Sequence, residues 1–224
     1  MAKILKVFQT VVIGIMMTAL FSSCLKNYNS TIALPEIGTA VNVIPEEIRD
    51  EFESKMDIYE GTTPPDITCS FVIAENELYY SSDGFTANFN DHYMKFYNKR
   101  GNRYQFKARQ VESRSEASDV VVIGSGDNFT AYFTTKVVYD DGVTWFVSAD
   151  LVSGTMSSNG IRNIKHAFIM LEVHDPKDVL MEENEYRIFY DGDGLASFVD
   201  WDDTKAYQPV SFSSEVKSST AKLK

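Results

Sequence analysis

The sequence predicts an all-β fold: a mainly antiparallel meander that closes into a barrel, with one amphipathic helix ahead of it. A two-sheet β-sandwich is the alternative. Three observations lead there. Residues 119–174 read as four consecutive strands, at 119–124, 128–139, 143–156 and 161–173. Their connections are short: Ser125-Gly126-Asp127, Asp140-Asp141-Gly142 and Ser157-Ser158-Asn159-Gly160. Gly, Asn and Asp supply the positive φ that hairpin turns need. Within the second strand Phe129, Ala131, Phe133, Thr135, Val137 and Tyr139 share one face, the period of a strand half-buried against a core. Short connections imply antiparallel pairing. The run at 143–156 is long beside the ~5–6 residue mode, so it has to coil or bulge, with Gly154 a candidate bend. Coiled meanders remove their edges by closing.

The two ends lie outside this fold. Lys3 and Lys6 precede an apolar stretch, residues 7–20, of signal-peptide length and too short for a confident membrane span. Leu20-Phe21-Ser22-Ser23-Cys24 places small residues before a cysteine, as a bacterial lipobox does, with Phe21 where Leu is commoner. Residues 1–23 are therefore expected to be a lipoprotein signal peptide, and Cys24 to be lipidated. An ordinary signal peptide or a buried helix is the alternative. Acyl chains on Cys24, at ~0.8 kcal/mol per buried methylene, would attach the chain to a membrane without a spanning helix. Residues 24–43 read as a tether, 44–210 as a single β-rich domain and 211–224, rich in Ser and Lys, as a disordered tail.

Within the domain the helix is expected over 44–60. Ile44, Ile48, Phe52, Met56 and Tyr59 form a stripe at helical spacing, Pro45 suits the first turn and Gly61 a C-terminal cap. Strands span 66–200. Residues 67–73 alternate cleanly and make Cys69 a buried core thiol without a disulfide partner. Further strands fall at 77–80, 92–98 and 103–111, separated by a loop at 81–91 whose Phe85 and Phe89 cover the core. In the third of these Tyr104, Phe106 and Ala108 point inward, and Arg103, Gln105, Lys107 and Arg109 point to water. Residues 112–118 read as a polar loop and 175–181 as a turn winding into one helical turn. Residues 187–190 and 195–199 read as a last hairpin around Asp191-Gly192-Asp193-Gly194. Trp201 and Tyr207 are expected to pack where the barrel closes.

Three residue sets resemble a group of lipid-anchored proteins of Bacteroidota: the lipobox-like Cys24, the segment Ile58-Tyr59-Glu60-Gly61-Thr62-Thr63-Pro64-Pro65, and Phe189-Tyr190-Asp191-Gly192-Asp193-Gly194-Leu195. The group looks lipocalin-like, so the resemblance implies a meander barrel with a helix and an envelope location, but no activity. Leu25, Lys26 and Asn27 lack the acidic cluster associated with surface display. The expected location is therefore the outer membrane facing the periplasm, with the cell surface as the alternative.

Composition and motifs exclude several functions. The formal charge is −11, and removing residues 1–23 with their two lysines takes it to −13, which repels nucleic acid. Gly124-Ser125-Gly126 starts like a dinucleotide fingerprint but leads into a strand, so it reads as a hairpin turn. Asp191-Gly192-Asp193-Gly194 lacks EF-hand register and reads as a tight turn. His92, His166 and His174 form no paired metal motif and no nucleophile–base arrangement, so neither a metal, a cofactor nor catalysis is expected. The aromatic supply carries the positive expectation. Phe129, Phe133, Trp145 and Phe168 are the candidate lining of a barrel that holds a small apolar or amphipathic ligand. The rival is a solid barrel that meets another envelope protein through an outer apolar face including Tyr132, Val138, Val152 and Ile164; a hydrolase is third.

Overall fold

Among the described residues one helix and eleven strands follow in order: α1 (Glu46–Lys55), β1 (Thr62–Thr63), β2 (Cys69–Ile73), β3 (Asn76–Ser81), β4 (His92–Arg100), β5 (Arg103–Arg109), β6 (Ser113–Ser125), β7 (Asn128–Tyr139), β8 (Trp145–Met156), β9 (Gly160–His174), β10 (Tyr186–Asp191) and β11 (Leu195–Phe198). This is a computed structural model; it describes Ile44 and residues 46–202, which belong to one compact unit. The expected signal peptide, Cys24, the tether, Tyr207 and the tail lie outside the described residues.

The meander from β4 to β9 is antiparallel throughout, and β11 closes it by pairing with both β9 and β2. The result is a ring of eight strands, the barrel of the sequence reading rather than the sandwich. The ends of the chain correct one detail. Tyr186 to Tyr190 pair with Ile169 to Lys165, and Leu195 to Ser197 pair with Arg162 to Gly160. Strands β10 and β11 thus run in line along the same edge of β9 and do not form a hairpin. The Gly192–Gly194 segment is a break in one long strand. The partner strand breaks at the same level: β2 pairs with β11, β3 with β10, and Gly192 N donates to Glu75 O at 2.8 Å between them. Beyond the break β3 has no pairing with β4, and the 82–91 loop fills that part of the wall. Phe89 N donates to Asn76 O (3.0 Å) and Gln110 Nε2 to Asn90 O (3.2 Å).

Two apolar layers hold the barrel. Inside, Phe71, Phe96, Phe106, Phe129, Phe133, Val152 and Ile164 pack solidly, with Phe106 and Phe133 rings 4.5 Å apart. Val152 and Ile164, expected outside, share this inner face: Asn163 adopts φ 51° and the β8–β9 register shifts between Ser153 and Thr155, which turns Ile161 and Ile164 the same way. Outside, α1 lays Ile48, Phe52 and Met56, together with Ile44, over Val121, Tyr132, Leu151, Ile169 and Ile188. Strands β6 to β10 are apolar on both faces for this reason. Cys69 is half-buried against the inner core, where burial pushes its thiol up to about 12. Arg103 to Arg109 keep the expected two faces, although Lys107 and Arg109 lie over the Trp201 ring rather than in open water.

The helix is shorter than the stripe suggests. It ends at Lys55, whose carbonyl accepts a bond from the Lys165 ammonium at 2.6 Å, a cation at the negative end of the helix dipole. Tyr59 is beyond it in extended chain, its N–H held by Thr130 Oγ1 at 2.8 Å. Gly61 is no cap: φ 134° and a Cβ that would meet Gly124 O at 2.5 Å make it a close backbone approach, where Gly124 N donates to Gly61 O. Residues 113–118, expected as loop, belong to β6, and 176–181 form turns without a helix.

Truncating Phe133 to Ala should cost about 3–5 kcal/mol of unfolding free energy in denaturant titration, as for buried phenylalanines generally. Truncating the exposed Val138 on the other face of β7 should stay within about 0.5 kcal/mol.

Candidate functional site

The inner faces of the meander change character partway along the barrel. On β7 the inward series runs Phe129, Ala131, Phe133, then Thr135, Val137 and Tyr139. The first three are in the packed core and the last three line a cavity of about 430 Å³. The inward series of β8 runs Val152, Asp150, Ser148, Phe146, and that of β9 runs Ile164, His166, Phe168, Met170. At the same level on each strand one polar residue follows the last packed apolar one. Thr135, Asp150 and His166, with Ser148 next to them and His92 from β4, form a polar floor. Above it the walls are apolar again.

The floor is a hydrogen-bonded unit centred on Asp150, which is 4% exposed. His166 Nε2 lies 2.9 Å from Asp150 Oδ1. Thr135 Oγ1 and Ser148 Oγ both donate to Asp150 Oδ2, at 2.8 and 2.6 Å, and lie 2.8 Å from each other. A buried carboxylate costs several kcal/mol unless bonded in this way. The His92 ring is 5.5 Å from that of His166 and part of its surface faces the cavity. Burial, with a smaller contribution from His166, holds the His92 imidazole well below its ordinary range, so it stays neutral near pH 7.

The walls and mouth are aromatic. Phe146 and Phe168 stack at 6.2 Å, Phe168 and Phe189 at 6.0 Å and 9°, and Phe89 meets Phe189 edge-on at 4.8 Å. Phe85 and Phe89 of the 82–91 loop, expected to cover the core, instead close one side of the cavity, and Val179 and Leu180 line it as well. Arg187 crosses the mouth: it is paired with Asp83, whose carboxyl is lowered to about 2 with the Arg187 guanidinium as its main stabilising contact, and lies 4.1 Å over the Phe85 ring.

Of the four predicted lining residues only Phe168 lines the cavity. Phe129 and Phe133 are in the solid half of the barrel. Trp145 points outward, because the inward positions of β8 are the even-numbered ones; it stacks on His174 at 5.5 Å with the Lys136 ammonium 4.0 Å above its ring. Phe189 faces in, while Tyr190 faces out and bonds Glu77. The sequence reading missed Asp150, Ser148, Thr135 and His166 as a group. Taking Trp145 as inward sets Ser148 and Asp150 outward, and the level at which the three strands align depends on register.

The arrangement has limited chemical scope. No hydroxyl is bonded to an imidazole: histidine and hydroxyls all bond the carboxylate, so the nucleophile–base–acid order of a hydrolytic triad is not formed. Among the described residues no group of three or more His, Cys, Asp or Glu is placed to hold a metal ion. The Asp191 carboxylate, at the break between β10 and β11, is separate from the floor. It is 3% exposed, and Asp193 is its hydrogen-bonding neighbour. Burial, then the nearby Asp193 carboxylate, pushes it up to about 6.

Since that value lies above the ordinary 3.8, the native state holds a proton that the unfolded chain has lost, and stability falls as pH rises from roughly 4 to 6. Asp191→Asn should therefore stabilise the fold at pH 8, on the order of 1–2 kcal/mol, and should give no gain at pH 4. Thermal melts at the two pH values check this.

Comparison of the chain with protein families, with curated proteins and with solved structures found no match.

Proposed function

We propose that this is a lipid-anchored protein of the cell envelope that carries one small amphipathic molecule in its barrel, without catalysing a reaction. The observation that carries the reading is the half-hollow barrel: a cavity of about 430 Å³ with aromatic walls over a floor of satisfied polar groups. Binding sites for small molecules have this make-up, mostly apolar with a few placed polar groups. A protein that used the barrel only as scaffold would gain stability by filling the space, since an unfilled cavity costs roughly 20–30 cal/mol per Å³. The rival reading, docking to another envelope protein through the outer apolar face, has less behind it: Tyr132 lies under α1, Val152 and Ile164 are inside the barrel, and Val138 alone of that set stays exposed. The bonding order around Asp150 favours holding over hydrolysis. The anchor and location rest on residues 1–24 of the sequence and on the resemblance to the Bacteroidota group; they favour the outer membrane facing the periplasm.

Native mass spectrometry of the purified protein, set against its denatured mass, should show a non-covalent adduct of defined mass. Val137→Trp, which places a large ring in the cavity, should remove the adduct and at least about tenfold of the affinity for an apolar dye such as N-phenyl-naphthylamine. An unaltered adduct in that variant would place the ligand elsewhere. For the anchor, Cys24→Ser should abolish metabolic labelling by an alkyne fatty acid and release the protein from the membrane fraction.

A further inference from the structure

The hydrogen-bond inventory of the floor names the head group. We propose that the ligand is an amine: a cationic, donor-only head seated on Asp150, with an apolar arm lying along the Phe146, Phe168 and Phe189 rings. This rests on the binding reading above and goes beyond it by assigning the ligand's chemistry.

An ionised carboxylate offers about four lone-pair positions and no donor. Three positions of Asp150 are used, one on Oδ1 by His166 and two on Oδ2 by Thr135 and Ser148. One position on Oδ1 remains. Each hydroxyl has a single proton, and both protons are directed at Asp150, so Thr135 and Ser148 turn lone pairs, not protons, to other partners. Apart from the one N–H of the neutral His92 imidazole, the floor therefore offers acceptors. An ammonium brings three donors and no acceptor, and matches this set. A carboxylate or phosphate head would bring like charge towards Asp150 and would find the hydroxyl protons already engaged.

The charges around the cavity point the same way. The cation that crosses the mouth, Arg187, is engaged by Asp83 through both Nε and a terminal nitrogen. Arg109, the second cation lining the cavity, extends over the Trp201 ring and donates to Trp201 O at 3.1 Å. His92 stays neutral. Asp178 adds a further carboxylate at the rim. Aromatic faces add cation–π attraction, worth about 2 kcal/mol or more where water is excluded. The formal charge of −11 steers cations towards the protein and repels anions.

Three probes of equal chain length, octylammonium, octanol and octanoate, test the assignment by isothermal titration calorimetry on the purified protein. Octylammonium should bind at least about tenfold tighter than octanoate, the factor expected for one charge-assisted contact in place of a like-charge one. Asp150→Asn should reduce that ratio to about threefold or less. Should the variant fail to fold, the ratio measured on the unsubstituted protein still decides. Octanoate binding as tightly as octylammonium, or more tightly, overturns the amine assignment and leaves the binding barrel standing. Failure of all three probes, together with the absence of any adduct in native mass spectrometry, overturns the binding reading itself.

Discussion

Closure of the sheet is the constraint on which the rest of this structure depends. Once β11 pairs with both β9 and β2, the ring has no free edge, and every inward side chain of eight strands shares one finite volume. Whether that volume is filled depends on side-chain size at each level. Phe71, Phe96, Phe106, Phe129 and Phe133 fill one half. Towards the other end Ser113, Ser115, Ala108 and Thr135 take inward positions, and small residues there leave the space that aromatic rings further up enclose.

The break in two neighbouring strands changes what walls that space. Residues 74–75 and 192–194 interrupt what would otherwise be two continuous strands, and beyond the break the wall between β3 and β4 consists of the 82–91 loop rather than a backbone ladder. Its hold on the barrel is a few hydrogen bonds and the Phe85–Phe89–Phe189 contacts. Such segments open locally at lower free energy than ladder strands. Solid wall and replaceable wall therefore meet at the cavity, next to the Asp83–Arg187 pair.

The outer apolar face is largely accounted for within the chain itself. Of the residues that read, along the sequence, as surplus outer surface, Tyr132 lies outside among Val121, Leu151 and Ile169, Val138 is exposed, and Val152 and Ile164 are inside. The stripe of α1 covers Val121, Tyr132, Leu151 and Ile169, and Lys165 fixes where the helix stops. Strands with two buried faces lose the alternation that marks inside from outside, which is why Val152 and Ile164 read as outer residues. Conversely β6 begins with Ser113, Arg114, Ser115 and Glu116, whose inward members are themselves polar because they face the cavity. With no apolar member to mark the period, the strand reads as a loop.

The sequence alone determined the all-β class, the helix, the hairpin turns and the even alternation of β7, because these follow from local φ preferences and from a period of two. The proposed anchor rests on residues 1–24 of the sequence and on the resemblance alone. Tertiary structure decided which level of the barrel is solid and which hollow, that β10 and β11 run in line, that Trp145 is outside, and that Thr135, Ser148, Asp150 and His166 meet. These are matters of register between strands distant in sequence: Asp150 and His166 stand sixteen positions apart and come within 2.9 Å only because β8 and β9 pair as they do. Local propensity carries no information about that offset; ring closure and the filling of a fixed interior do.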